Sequence, residues 1–291
     1  DSSTSRGLGD VYKRQPFDSF CMAFGTAGTG GFSISSAGIA EYNSLAIEII
    51  LGIFMLLFGV NFNVYHLILL RKFKEAFSME EVKVYFAVVA LATLAIAGNI
   101  MKFAGGFGNA LRQAFFQVSS IITTTGFASV DFEFWPEFSK HILLLLMVIG
   151  ACAGSTGGGM KISRVLIVAK SLVAEIRQII NPKEVVTVRL NGTTVDKKTL
   201  DSTRIYVAAY MILVCLSTLI ISLDGLDFTT NFTAVLSCFN NIGPGLSKVG
   251  PMANFSVYSD WAQVVLSIVM LTGRLEIFPM FLLFARSAHD R

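Results

Sequence analysis

Long apolar runs decide what this chain can fold into. Residues 46–70, 84–100, 141–153, 205–223 and 261–284 are each dense in aliphatic and aromatic side chains. A helix that crosses a bilayer core needs about 20 residues, and all but the third run approach or exceed that length. A water-soluble globule would need more polar surface than is on offer, since 53% of the residues are hydrophobic and 15% charged, with a mean hydropathy of +0.64. The expected class is an all-α polytopic membrane protein. Glycines follow the short third run, and a further apolar stretch, 162–180, comes after them.

The net charge of +3 is too small to suggest a nucleic-acid partner, and the basic residues gather beside the apolar runs. Arg71, Lys72, Lys74 and Lys83 flank the first run, and eight Lys and Arg lie in 164–204, so both segments are expected on the cytoplasmic side. Cys21, Cys152, Cys215 and Cys238 lack metal-ligand or CxxC spacing and read as small apolar residues. No secretory signal peptide is visible, and the chain begins at Asp1. Residues 1–15 are polar, without apolar periodicity, and stop at Pro16, so they are read as a non-native or disordered stretch with no function.

Beyond Pro16 one pattern recurs three times. An amphipathic segment too short to cross leads into a polar, glycine-bearing cluster, and an apolar run follows. The clusters are Thr26-Ala27-Gly28-Thr29-Gly30-Gly31-Phe32, Thr123-Thr124-Thr125-Gly126-Phe127-Ala128 and Asn240-Asn241-Ile242-Gly243-Pro244-Gly245. This divides the chain into 16–72, 83–182 and 203–291, with 183–202 as a cytoplasmic β-hairpin about Asn191-Gly192, flanked by Val185, Val186, Val188 and Val195. The first unit lacks the leading run that the other two have.

Irregular backbone at membrane depth persists only where protein buries it or water fills a cavity beside it. Ion filters use such backbone: a half-helix aims its partly negative C-terminal end at the pore, and the loop after it offers carbonyl oxygens in place of the ion's water. Glycine permits close approach, and a threonine hydroxyl can add an acceptor. Asp131, Glu133 and Glu137, after the second cluster, read either as a cation-concentrating outer mouth or as a solvated acidic turn.

With these three clusters in this order, the chain from Pro16 onward resembles the TrkH branch of the Trk/Ktr/HKT superfamily of potassium transporters. The resemblance implies M1-P-M2 repeats with re-entrant pore helices around a pseudo-fourfold pore, the first repeat missing here and the second partial. One filter glycine per loop would be Gly30, Gly126 and Gly243. The ion-binding set would be Ala27, Gly28, Thr29 and Gly30 in one loop, Thr123, Thr124, Thr125 and Gly126 in the next, and Asn240, Asn241, Ile242 and Gly243 in the last. Ala27 and Gly28 would stand where the next loop has Thr123 and Thr124, weakening hydroxyl ligation. Three loops cannot close a four-sided cage, so the chain is not expected to conduct alone.

The stretch from Gly150 through Gly154, Ser155, Thr156, Gly157, Gly158 and Gly159 to Lys161 interrupts a double-length apolar span. A phosphate-binding P-loop is excluded because Met160 separates Gly159 from Lys161 and the flanks are helical. By the resemblance it is an intramembrane gate; a passive kink is the alternative. Arg274, inside the last apolar run, needs a partner or water. The resemblance puts it beside the gate, the alternative being a snorkelling side chain; the role of Glu276 is open.

The implied function is K⁺ uptake across a bacterial inner membrane, with K⁺ as the transported ion, no covalent cofactor and no covalent chemistry. The implied partners are the lipid bilayer, a second copy of the chain in a homodimer, and a cytoplasmic nucleotide-binding RCK regulator resembling TrkA. A KtrB-like Na⁺-dependent subunit and a cation secondary transporter are the alternatives, though transporter repeats are usually inverted. A membrane enzyme is disfavoured because His66, His141 and His289 lie near run ends and do not converge.

Overall fold

The computed structural model describes residues 16–34, 38–183, 186–275 and 277–283. Residues 1–15, Val185, Glu276 and His289, on which expectations were placed above, lie outside the described residues. A helix α1 is described over 16–27. There follow α2 (Leu45–Phe58), α3 (Phe62–Leu69), α4 (Phe73–Ser78), α5 (Glu80–Ile100), α6 (Phe107–Ile122), α7 (Glu137–Ile149) and α8 (Ile162–Ile180). After a hairpin of β1 (Arg189–Leu190) and β2 (Thr193–Thr194) come α9 (Lys197–Ile221), α10 (Phe228–Asn240), α11 (Asp260–Arg274) and α12 (Ile277–Leu283).

Helices α6 and α10 lie inside, and other helices pack around them. Every residue of α10 from Thr233 to Asn240 is buried, as is α6 from Phe116 to Ile122. Helices α2, α5 and α7 pack around α6, while α7, α9 and α11 pack around α10. At 1.5 Å rise, the 16 residues of α6 cover only about 24 Å, and the helix ends inside the protein. The outer helices α5 and α9, the latter prolonged to Asp224, are long and apolar enough to cross a membrane. They leave Leu91, Leu94, Leu216 and Leu219 on the outer surface. Such a face would drive aggregation in water and suits hydrocarbon.

The first apolar run is not one straight span. It breaks by 87° between α2 and α3. Gly59 and Asn61 make the break: Gly59 ends α2, and the Asn61 side chain accepts the Asn63 amide at 2.9 Å to cap α3. The run over 261–284 also breaks, after Arg274. The hairpin is narrower than 183–202, because 197–202 already belong to α9. Asn191 and Gly192 both take positive φ, 52° and 78°, as a type I′ turn requires.

One ion pair ties α2 to α6. The Arg112 guanidinium donates to both carboxylate oxygens of Glu48, at 2.7 and 2.6 Å, and the Glu48 side chain is only 6% exposed. Removing one partner strands a buried charge, at roughly 3–5 kcal/mol for a fully buried pair. Arg112→Met is therefore expected to lower the thermal unfolding midpoint more than the double change Arg112→Met with Glu48→Leu; equal midpoints would contradict a buried pair.

Candidate functional site

The three polar clusters each leave a helix in the same way; α6 and α10 are buried, whereas α1 exposes Phe17, Phe20 and Phe24. At the ends of α1, α6 and α10, the amides of Thr29, Thr124 and Asn241 donate three residues back, to the carbonyls of Thr26, Ile121 and Cys238. The next amides, of Gly30, Thr125 and Ile242, donate five residues back, to Gly25, Ser120 and Ser237, at 2.7, 2.9 and 2.9 Å. This is the Schellman closure, which requires a left-handed residue after the helix. Thr29, Thr124 and Asn241 supply it with φ of 51°, 57° and 56°. A β-branched threonine there is held against a strain of about 1–2 kcal/mol.

This shared backbone fixes which residues correspond. Gly31, Gly126 and Gly243 all follow two positions after the left-handed residue, with φ of 64°, 88° and 106°. The first loop therefore aligns through Gly31, one residue beyond the Gly30 expected from sequence. Gly30 occupies the place of Thr125 and Ile242, and Gly28 that of Thr123 and Asn240. The missed signal was the glycine-aromatic pair, Gly31-Phe32 beside Gly126-Phe127.

Neighbouring loops touch backbone to backbone. A Cβ on Gly31 would overlap the carbonyl oxygen of Thr125, and one on Gly126 would overlap that of Ile242. A Cβ on Gly30 would meet nothing closer than 3.8 Å, and one on Gly243 nothing within 4 Å. The loops border a common cavity of about 750 Å³, lined among others by Gly28, Thr29, Gly30, Gly31, Gly126, Asn241, Ile242, Gly243 and Arg274. Ala27, Thr123, Thr124, Thr125 and Asn240 do not line it. Hydroxyls of the second loop are engaged elsewhere: Thr123 donates to the Ser119 carbonyl at 2.6 Å and lies 2.8 Å from the Thr125 hydroxyl. Among the described residues no cluster of three or more His, Cys, Asp or Glu could ligate a metal.

At the C-terminal ends of α6 and α10 sits the 150–161 loop. A Cβ on Gly157 would lie 2.9 Å from the Thr123 carbonyl oxygen, and one on Gly158 would overlap that of Asn240. Its ends touch each other: a Cβ on Gly150, where φ is 69°, would come 2.9 Å from the Cα of Gly159, where φ is 80°. Glycine at 150, 157, 158 and 159 is thus a requirement of close packing. Gly154 takes a φ of 65°, and its carbonyl accepts the Phe62 amide at the start of α3 at 3.0 Å.

The left-handed residues of the first two loops hold this segment directly. The Thr124 hydroxyl accepts the Gly158 amide at 2.5 Å. The one proton of the Thr29 hydroxyl faces both the Gly28 carbonyl at 2.7 Å and the Thr156 carbonyl at 3.0 Å, and the Arg274 guanidinium reaches the Thr156 oxygen at 3.2 Å. Arg274 is therefore turned to the loop, not to a span end. The Lys161 ammonium donates to the Gly157 carbonyl within the loop. Gly273 lets α11 come this close, since a Cβ there would overlap the Phe239 carbonyl oxygen of α10.

Sequence reasoning missed Glu81. Its buried carboxylate accepts the Ala153 amide at 2.6 Å, with the Asn61 amide group 3.5 Å from its other oxygen. The Cys152 amide donates to the Gly59 carbonyl at 3.1 Å, so the loop is docked on the bend between α2 and α3.

The acidic residues after the second loop are partnered. Asp131 accepts the Glu133 amide at 3.0 Å, and Glu133 accepts the Ser247 amide at 2.7 Å. Lys140 lies 3.6 Å from Glu133 and 2.7 Å from Glu137. They tie the loop after α6 to α7 and to the segment after α10. Asp227 caps α10 by accepting the Thr230 hydroxyl and amide, and the hydroxyl bond in particular holds its carboxyl below the usual range.

Residues 3–290 match the family model described as TrkH, cation transport protein. The chain is 33% identical over 271 residues to the Trk system potassium uptake proteins TrkH of Salmonella typhimurium and Escherichia coli, covering 92% of this chain and 56% of each relative. It thus spans about half the length of the curated relatives it matches. Its fold is similar to the crystal structure of the potassium transporter TrkH from Vibrio parahaemolyticus, with a TM-score of 0.86 at 30% identity, over 99% of this chain and 65% of that one. With a family match that runs over nearly its whole length and a fold to go with it, the chain belongs to the TrkH family of cation transport proteins.

Proposed function

We propose that this chain forms three of the four sides of a K⁺-conducting pore in a bacterial inner membrane. Gly31, Gly126 and Gly243 mark the filter, and the 150–161 loop with Arg274 is the gate. The observation that carries this reading is the shared closure of three helices onto one cavity, with a glycine-rich loop packed against the ends of the two buried ones, α6 and α10. Helix C-termini carry about half a negative charge each, and a dehydrated cation is stabilised by peptide oxygens that need no reorganisation. The guanidinium of Arg274 opposes cation passage by charge, while the loop opposes it by bulk.

In this reading K⁺ moves passively, the pore is completed by a segment such as the one by which the relatives exceed this chain, and two copies work together. The hairpin about Asn191 is the surface that meets a cytoplasmic nucleotide-binding regulator. The test joins the N-terminal portion of the Escherichia coli relative to this chain and expresses the fusion in a bacterium without its own K⁺ uptake. Growth at low K⁺ that is abolished by Gly126→Asp supports the reading. Growth that survives Gly126→Asp unchanged would overturn it.

A further inference from the structure

Two adjacent residues at the start of α5 face different parts of the protein. Glu81 points inward and accepts the Ala153 amide of the 150–161 loop at 2.6 Å. Glu80 belongs to the hairpin side: its amide donates to the Asn191 side chain at 2.7 Å, and its carboxylate receives the Lys170 ammonium. Lys170 lies on α8, the helix that follows the loop, and also donates to the Arg189 carbonyl of β1 at 2.8 Å. Helix α5 has no local capping side chain, because Met79 stands at its N-cap. Asn191, at the tip of the hairpin and 111 residues away in sequence, satisfies its first free amide instead.

The loop end of this chain of contacts is built to matter. Ala153 follows Cys152, which is fully buried and docked on Gly59. A hydrogen bond to a buried carboxylate is about twice as strong as a neutral one, and this is the bond to the loop from the helix that the hairpin caps. Glu80 and Glu81 are consecutive residues of the first turn of α5, so a shift of the capped Glu80 amide is passed directly to Glu81.

We propose that Glu81 is a positioning residue that latches the 150–161 loop, and that the cytoplasmic hairpin sets the latch through Asn191 and Lys170. A partner that pulls the hairpin off α5 would thereby release the loop. The proposal rests on reading that loop as the gate, and the experiment separates the two ideas.

The native thiol of Cys152 reports the latch. The full chain, purified and reconstituted in nanodiscs, is treated with a water-soluble maleimide, and each cysteine is quantified by peptide mass spectrometry. Glu81→Ala is expected to speed Cys152 labelling by about tenfold or more, the factor that a charge-assisted bond represents. Glu81→Gln keeps an acceptor and should fall between the two. Asn191→Ala, at an exposed position, should speed labelling several-fold, and the double change should be no faster than Glu81→Ala alone. Cys238, buried in α10, serves as the control.

Unchanged Cys152 labelling in Glu81→Ala or in Asn191→Ala overturns the proposal, and a parallel rise at Cys238 does so too, because it marks general loosening. If Glu81→Ala does not give monodisperse protein, Asn191→Ala decides. Rb⁺ leak through the fusion described above is measured alongside. Faster Cys152 labelling with no change in leak leaves the latch standing and removes the gate.

Discussion

Gly31→Ala is expected to abolish K⁺-dependent growth and to cut Rb⁺ uptake by at least about a hundredfold in the fusion with the Escherichia coli relative, while Gly30→Ala stays within a few-fold of the parent. The two glycines are neighbours, and their surroundings differ. At Gly31 the backbone has a φ of 64° and an added Cβ would run into the carbonyl oxygen of Thr125. A side chain there costs about 1–2 kcal/mol in backbone strain alone. It also forces apart two loops whose carbonyls must stay in register, and small misplacements of preorganised oxygens cost far more than the strain. At Gly30 the nearest atom to an added Cβ is 3.8 Å away, an ordinary van der Waals distance. The corresponding places in the other loops already carry the side chains of Thr125 and Ile242. Uptake assays on the two single variants check this; a Gly30→Ala variant as dead as Gly31→Ala would show that the correspondence of the loops is wrong.

If the 150–161 loop is the gate proposed above, excising residues 151–158 should raise passive Rb⁺ leak through the same fusion by roughly tenfold or more, because the bulk at the ends of α6 and α10 is gone. The neck geometry makes the excision feasible. An added Cβ on Gly159 would lie 2.8 Å from the Cα of Gly150, so the cut ends are already close to the 3.8 Å that a trans peptide spans between Cα atoms. Helices α7 and α8 can therefore be joined with little movement. Leak that stays at the parental level would mean that the loop does not obstruct permeation.

Much of this was legible in the sequence because the relevant signals are local. Apolar runs, glycine clusters and the Asn-Gly turn each act over a few residues, and α8 runs from Ile162 to Ile180 as its apolar pattern indicates. Features that depend on distant partners were not legible. The bend at Gly59–Val60–Asn61 sits within an apolar run and is stabilised by backbone bonds to Cys152 and Gly154, which no periodicity encodes. Glu81 stands beside Glu80 at a span end and looks like a second solvated charge, until the fold brings the Ala153 amide to it. Two consecutive glycines in the first loop left its register ambiguous, and only the left-handed Thr29 and the bond from Gly30 to Gly25 resolve it. Threonine in that conformation runs against its intrinsic preference, which is why the tie from Thr29 to Thr156 was invisible beforehand.

In the proposed pore, peptide oxygens of the three loops hold a dehydrated monovalent cation. Anomalous X-ray diffraction from crystals of the fusion soaked in Rb⁺ tests it most directly. A Rb⁺ peak is expected in the cavity within coordination distance of the carbonyls beside Gly31, Gly126 and Gly243, lost in Gly31→Ala. A cavity without such a peak, in crystals that bind Rb⁺ elsewhere along the path, would contradict it.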